Sequence, residues 1–469
     1  NKRTKMGKIQ SQIIIITAAL LAVSCSRQTM SVEELRVEHM ENPSVVDATH
    51  PRLSWINIPK SQKARGIKQT AYRIVVASSK ENLKQGVYDL WDSGKQLSEE
   101  SDLISYQGKT LPSAQDCYWK VQTWDQDGKP TAWSKPSYWG MGLMNEDEWQ
   151  AQWIAPLLGG PGAPLLRKHF DSKGQIKQAK VFVCGLGYFE LYVNGERIGD
   201  DYLVPNMTDY TKRFDLEKGP IAISGNMSRH RVMYLAYDIT KQIQEGRNAL
   251  GVILGNGFYD AVNLNIPCSK FGDECLRLQL QLTYADGTTQ TVISDNTWET
   301  KPSAITLNGV HAGEIYNANL ETPLWATTED NSQGWQRVKC IEGPTGMMTA
   351  HTAPTDKIVE TLKPISLHQR EDGAWVVDFG KEISGWLHLH DLKGEKGDTV
   401  KVDYISESVQ GNMRYVMNGS GSEDYAPRFT WFAFSKAVIS GVKELSMRNL
   451  TADVVNTHVE KTADFHTTD

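Results

Sequence analysis

The segment Gly185-Leu186-Gly187-Tyr188-Phe189-Glu190-Leu191-Tyr192-Val193-Asn194-Gly195-Glu196-Arg197-Ile198-Gly199-Asp200 reads as strand, turn and strand. Val181, Val183, Leu191 and Val193 fall on alternating positions around a glycine-aromatic centre. Alternation puts one set of side chains on one face of an extended chain. Asn194-Gly195 follows at once and apolar residues then resume, the signature of a two-residue hairpin turn.

The same grammar extends outward. Further strands are expected to centre on residues 231–237, 248–254, 276–284 and 290–294, with Asp286-Gly287 as a second hairpin turn. Asp238-Ile239-Thr240 is expected to open a short helix that ends near Gly246, with Asp238 as its cap. Residues 159–164, three of them glycine and two proline, read as a flexible loop. Nearer the N-terminus, Trp119, Val121 and Thr123 alternate with Tyr118, Lys120 and Gln122, and turns fall at Asp92-Ser93-Gly94 and Asp127-Gly128. One short helix is expected around residues 80–85. Toward the C-terminus, Trp375, Val377 and Phe379 alternate with Val376 and Asp378. No stretch beyond the leader sustains helical periodicity for a dozen or so residues. The expected fold is therefore all-β: a fibronectin type III-like sandwich over 32–145, then sandwiches of a jelly-roll-like kind over 149–320 and 350–462.

A chain of 469 residues, 40% hydrophobic, is long enough for several domains with their own cores. A net charge of −6 gives no electrostatic footing for nucleic acid. The 14 Trp and 17 Tyr are many, and most are expected to anchor cores rather than to stack on ligands. Lys2, Arg3, Lys5 and Lys8 precede an apolar run over 13–23, too short to span a bilayer as a helix. Residues 1–25 thus read as an export leader, ending in Leu21-Ala22-Val23-Ser24-Cys25, which is similar to a bacterial lipobox. That similarity implies cleavage before Cys25, a lipid on Cys25 and attachment to the cell envelope, with the lack of an acidic cluster after Cys25 favouring the periplasmic face. Five cysteines remain, and Cys268 and Cys275 either pair or stay buried thiols.

Many short motifs, in order, make the chain resemble the bacterial α-L-rhamnosidases of glycoside hydrolase family 78. Pro51-Arg52-Leu53-Ser54-Trp55 and Leu90-Trp91-Asp92-Ser93-Gly94 resemble the family's fibronectin-like leader domain. Thr208-Asp209-Tyr210, Leu254-Gly255-Asn256-Gly257-Phe258-Tyr259 and Gly313-Glu314-Ile315-Tyr316 are similar to its next domain. Val377-Asp378-Phe379-Gly380, Ser384-Gly385-Trp386 and Pro427-Arg428-Phe429-Thr430 are similar to the domain before the catalytic one. Lys381-Glu382 stands where the family usually has Gln-Asn, and Ala433-Phe434-Ser435-Lys436 replaces its Gly-Phe-Arg-Tyr pattern. The resemblance implies an enzyme that removes terminal α-L-rhamnose from glycans with inversion, using two carboxylates in an (α/α)₆ barrel and no cofactor. Phe465-His466-Thr467-Thr468-Asp469 resembles the opening of that barrel, so residues 463–469 are expected to be its start and the barrel itself to be missing. No residue here is expected to be catalytic, and the β-domains are expected to scaffold the barrel. The other expectation is a free-standing cell-surface sugar-binding lipoprotein without hydrolase activity.

Some relatives of the second domain hold rhamnose through calcium. By that resemblance Asp209, Asn256, Asp260 and Asn263 are candidate oxygen donors to sugar, Asp209 and Asn256 also to calcium, and Phe258 and Tyr259 candidate apolar sugar contacts. The pairs Asp378/Glu382 and Asp403/Glu407 read as structural carboxylates, and His388/His390 as a solvent-facing pair. Gly255-Asn256-Gly257 and Gly185-Leu186-Gly187 do not continue as phosphate-binding loops.

Overall fold

The computed structural model describes residues 29–467, apart from 62, 158, 212–229, 261–269, 311, 330–331, 406–410, 460, 462 and 464. The leader with Cys25, and Asn263, Cys268 and Glu407, lie outside the described residues. The expectation of an all-β chain holds: five sheets account for the described elements, and the α-helix among them is Lys80–Gln85.

One compact unit comprises mainly residues 29–43, 49–110 and 116–139. It has a three-stranded sheet (Met30–Val37, Arg52–Pro59, Ile104–Ser105) and a four-stranded one (Trp91–Asp92, Ala71–Ala77, Asp116–Trp124, Ser137–Gly140). Cys117, Trp119, Val121 and Thr123 are buried in strict alternation along Asp116–Trp124, as a sheet with one core face requires. Ala71–Ala77 is buried on both faces toward its end, because Leu83 of the helix packs on Val75 and Ala77. Ser79 caps that helix by accepting from the Asn82 amide, and Gly86 closes it at φ 79°.

The second unit holds nearly all the rest. Within it the opening motif does more than make a hairpin. Ile176–Leu186 lies in a seven-stranded sheet between Arg231–Asp238 and Cys275–Tyr284. Tyr188–Val193 lies in a six-stranded sheet beside Gly246–Gly255. The chain therefore changes sheets at Gly187, where a Cβ would sit 2.0 Å from the Asn256 carbonyl oxygen. Val181, Val183, Leu191 and Val193 all enter one core between the two sheets, with Leu250, Val252, Leu278 and Leu280.

Asn194 and Gly195 both take positive φ, 51° and 88°, as a primed hairpin turn requires. The Asn194 side chain donates to the Gln242 carbonyl (2.8 Å) and to Asn248 Oδ1 (2.9 Å), and accepts from the Ala249 amide (2.8 Å). Asn194→Ala removes three bonds and a residue type that tolerates this backbone. It is expected to cost about 2–3 kcal/mol in urea unfolding.

The helix expected after Asp238 is a single turn instead. Asp238 does accept from the Thr240 amide (3.0 Å), but Asn248 takes both the amide and the carbonyl of Gln244, and Gly246 already starts the next strand. A third, ten-stranded sheet is built on the long strand Trp375–Leu392. Ile305–Gly309 and Gly313–Asn317 belong to this sheet, the latter running parallel to Asn412–Val416.

Candidate functional site

The sequence candidates fall around two neighbouring features of the second unit. Tyr259 is 5% exposed and belongs to an aromatic trio, its ring 5.1 Å from Tyr210 and 6.2 Å from Phe271. Phe258 is half-buried against a separate cluster that includes Tyr188 and Phe429. Both rings therefore act mainly in packing. Asp209 is held by His230 (2.7 Å) and accepts from the Arg231 amide (3.2 Å). Asp260 is 7% exposed and ion-paired with Lys270 (2.8 Å), which also faces Asp273 (3.8 Å).

Asn256 differs from the rest. It is fully buried, yet neither its amide oxygen nor its amide nitrogen finds a partner among the described residues. Its backbone amide donates to Asn308 Oδ1 (2.8 Å), and the Asn308 side chain donates in turn to the Pro161 carbonyl (3.3 Å). Among the described residues no three acidic, histidine or cysteine side chains converge as a metal would need. With Asp209 and Asp260 both engaged, a calcium ion would have to displace His230 and Lys270.

Pro161 belongs to the glycine-rich loop, which is tied down rather than free. The Asn308 amide donates to the Pro161 carbonyl (2.8 Å), and the Ala163 amide to Ile305 (3.0 Å). Its glycines permit close approach: a Cβ on Gly159 would meet the Asp273 carboxylate at 3.0 Å, and one on Gly162 the Ile305 carbonyl oxygen at 2.8 Å.

This loop walls a cavity of about 500 Å³, within the range of small-molecule sites. Residues 300–303, 305 and 306, on and between the strands Glu299–Pro302 and Ile305–Gly309, also line it. Glu274, immediately before the strand Cys275–Tyr284, also lines it. Glu274 is 1% exposed, and its Oε1 has no hydrogen-bond partner among the described residues. Burial, aided by the negative charges of Asp260 and Asp273, pushes its carboxyl up to about 8. Reading the sequence alone passes over Glu274. The available signal is an acid placed directly at the head of a strand with leucine at every second position, in Gly272-Asp273-Glu274-Cys275-Leu276.

The remaining polar constellations are structural. His388 and His390 stack at 4.0 Å; the first faces Asp453 (3.4 Å) and the second Thr451 (2.8 Å). Asp378 pairs with Lys436 and Asp403 with Lys401. Cys275 and Cys184 are buried free thiols.

The fold defines a multidomain all-β protein with an immunoglobulin-like module followed by larger sheet domains. Comparison with known proteins narrows this to one family. Residues 32–145 match the Rha78A-like N-terminal immunoglobulin domain. Residues 174–221 and 226–360 match the α-L-rhamnosidase N-terminal domain, and 368–456 the bacterial α-L-rhamnosidase concanavalin-like domain. The chain belongs to the bacterial α-L-rhamnosidases, of which it carries these N-terminal β-domains. An α-L-rhamnosidase of Formosa agariphila is 30% identical over 99% of this chain, which spans 52% of that protein. The α-L-rhamnosidase structure from Dictyoglumus thermophilum is 32% identical with a TM-score of 0.80, over 92% of this chain and 49% of its own. One from Aspergillus terreus, 24% identical, shares the fold at a TM-score of 0.81 over 94% of this chain and 50% of its own. The chain thus spans about half the length of the relatives it matches.

Proposed function

We propose that these β-domains are the non-catalytic portion of an exported α-L-rhamnosidase, which removes terminal α-L-rhamnose from glycans with inversion. Their part is to scaffold a catalytic helical barrel and to contact sugar. The observation that supports this best is the ordered match of three family domains across almost the whole chain, against relatives about twice as long. Asp378 and Asp403, which the sequence reads as structural carboxylates, are each ion-paired with a lysine, which fits a structural part for them. Export and a lipid on Cys25 are part of the same proposal, resting on the basic and apolar leader.

The test compares residues 30–469 with the gene product read through the DNA downstream of Asp469, using an aryl α-L-rhamnoside. Turnover is expected from the longer product alone. Turnover by residues 30–469, abolished by changing one carboxylate, would overturn the reading. Labelling cells with a fatty-acid analogue checks the anchor, with label expected in the parent chain and lost in Cys25→Ala.

A further inference from the structure

We propose that the cavity lined by the glycine-rich loop 159–164 and by residues of 300–306 is a binding site for a neutral, hydroxyl-bearing ring of monosaccharide size, with Glu274 as its inner hydrogen-bonding group.

Three observations converge on that ligand class. The first is Glu274 itself, a buried acid that lines the cavity and whose Oε1 has no hydrogen-bond partner among the described residues. An orphaned buried polar atom is costly, so a fold that retains one either tolerates the loss or satisfies it with a bound group. The second is the company it keeps. Apart from Lys301, the other polar side chains lining it are the hydroxyls of Thr300, Ser303 and Thr306 and the amide of Gln336, all uncharged. Leu157, Ala163, Ile305 and Leu320 supply apolar surface. Neutral hydrogen-bonding groups over apolar walls suit a sugar ring, with hydroxyls at its edge and C–H groups on its faces. The third is the charge balance. Lys270 is held by Asp260 and Asp273, and Lys301 on the cavity wall adds a positive charge, which disfavours a cationic ligand. A carboxyl held neutral by burial does not attract one either. The site uses none of the calcium candidates.

Ligand-observed NMR on residues 30–469 in the presence of EDTA tests this, with L-rhamnose, D-galactose, D-glucose and glycerol as probes. At least one sugar is expected to bind with a Kd below about 10 mM, and glycerol far more weakly. Glu274→Leu is expected to weaken binding by about tenfold or more, while Glu274→Gln retains it. Hydrogen exchange on the unmodified chain supplies a second readout: bound sugar is expected to protect the amides of residues 159, 160, 162 and 163 and of 303–306. No sugar binding at about 50 mM, or binding and protection indifferent to Glu274→Leu, overturns the proposal. These outcomes are separate from rhamnosidase turnover by the longer gene product, so either proposal can fail without the other.

Discussion

Glu314→Leu is expected to cost about 3–5 kcal/mol of stability in urea unfolding, whereas Glu314→Gln is expected to stay within about 1 kcal/mol of the parent chain. Glu314 is fully buried. Its Oε1 accepts from the Tyr425 hydroxyl (2.9 Å), and its Oε2 from the backbone amides of Arg428 and Phe429 (both 3.0 Å). Leucine fills the space but strands all three donors, and two of them are backbone groups that cannot turn away. Glutamine keeps an acceptor for the two amides and faces the Tyr425 hydroxyl with a group it can bond. Burial outweighs these three donors and holds the Glu314 carboxyl above its ordinary range, so exchange for a neutral amide sacrifices little charge stabilisation.

The size of the effect follows from what Glu314 holds in place. It fixes Pro427-Arg428-Phe429-Thr430, and Phe429 is seated against Gly255, where a Cβ would lie 2.4 Å from the ring. Arg428 reaches Glu190 Oε2 (3.0 Å) and the Tyr192 hydroxyl (3.0 Å). Truncating Arg428 is expected to cost less, about 1–3 kcal/mol, because Arg197 still faces Glu190 at 3.3 Å and a third of the Arg428 side chain reaches solvent. Three sequence motifs far apart in the chain are thus one packed junction.

That junction marks where reading the sequence stops. Period-two alternation and Asn-Gly chemistry are local, so the hairpin at 194–195, the strands flanking it and the short helix Lys80–Gln85 were legible. The change of sheet at Gly187 was not. Alternation gives the face of a strand but not its partner, and the two strands around Gly187 have equally apolar patterns. The expected helix after Asp238 failed because a cap signal says nothing of Asn248, whose side chain competes for the same backbone groups. The glycine-rich loop looked mobile by composition, whereas its glycines serve close approach to Asp273 and Ile305. The burial of Glu274 was invisible for a similar reason: its cavity is assembled by residues 159–164 and 300–306, distant in the chain.

Glu274→Gln is expected to leave stability nearly unchanged at pH 5 and to raise it by several kcal/mol at pH 8.5. The sign follows from linkage. The unfolded carboxyl titrates near 4.5, and burial lifts the folded one to about 8. Between these values the unfolded chain releases a proton that the folded chain keeps, so stability falls as pH rises. Over the whole window this amounts to at most about 4–5 kcal/mol. The charged groups facing Glu274 do not reverse it: Asp260 and Asp273 oppose ionisation, and Lys270, shared with both, compensates only in part. Glutamine has no proton to lose and is insensitive through the window. Urea unfolding of both proteins at pH 5, 6.5 and 8.5 checks this, and curves that stay parallel across the three pH values would refute it. An acid that lowers stability at neutral pH, with one oxygen lacking a partner among the described residues, is a poor choice for packing alone. Its place on a cavity wall fits the proposed ligand, which would use it.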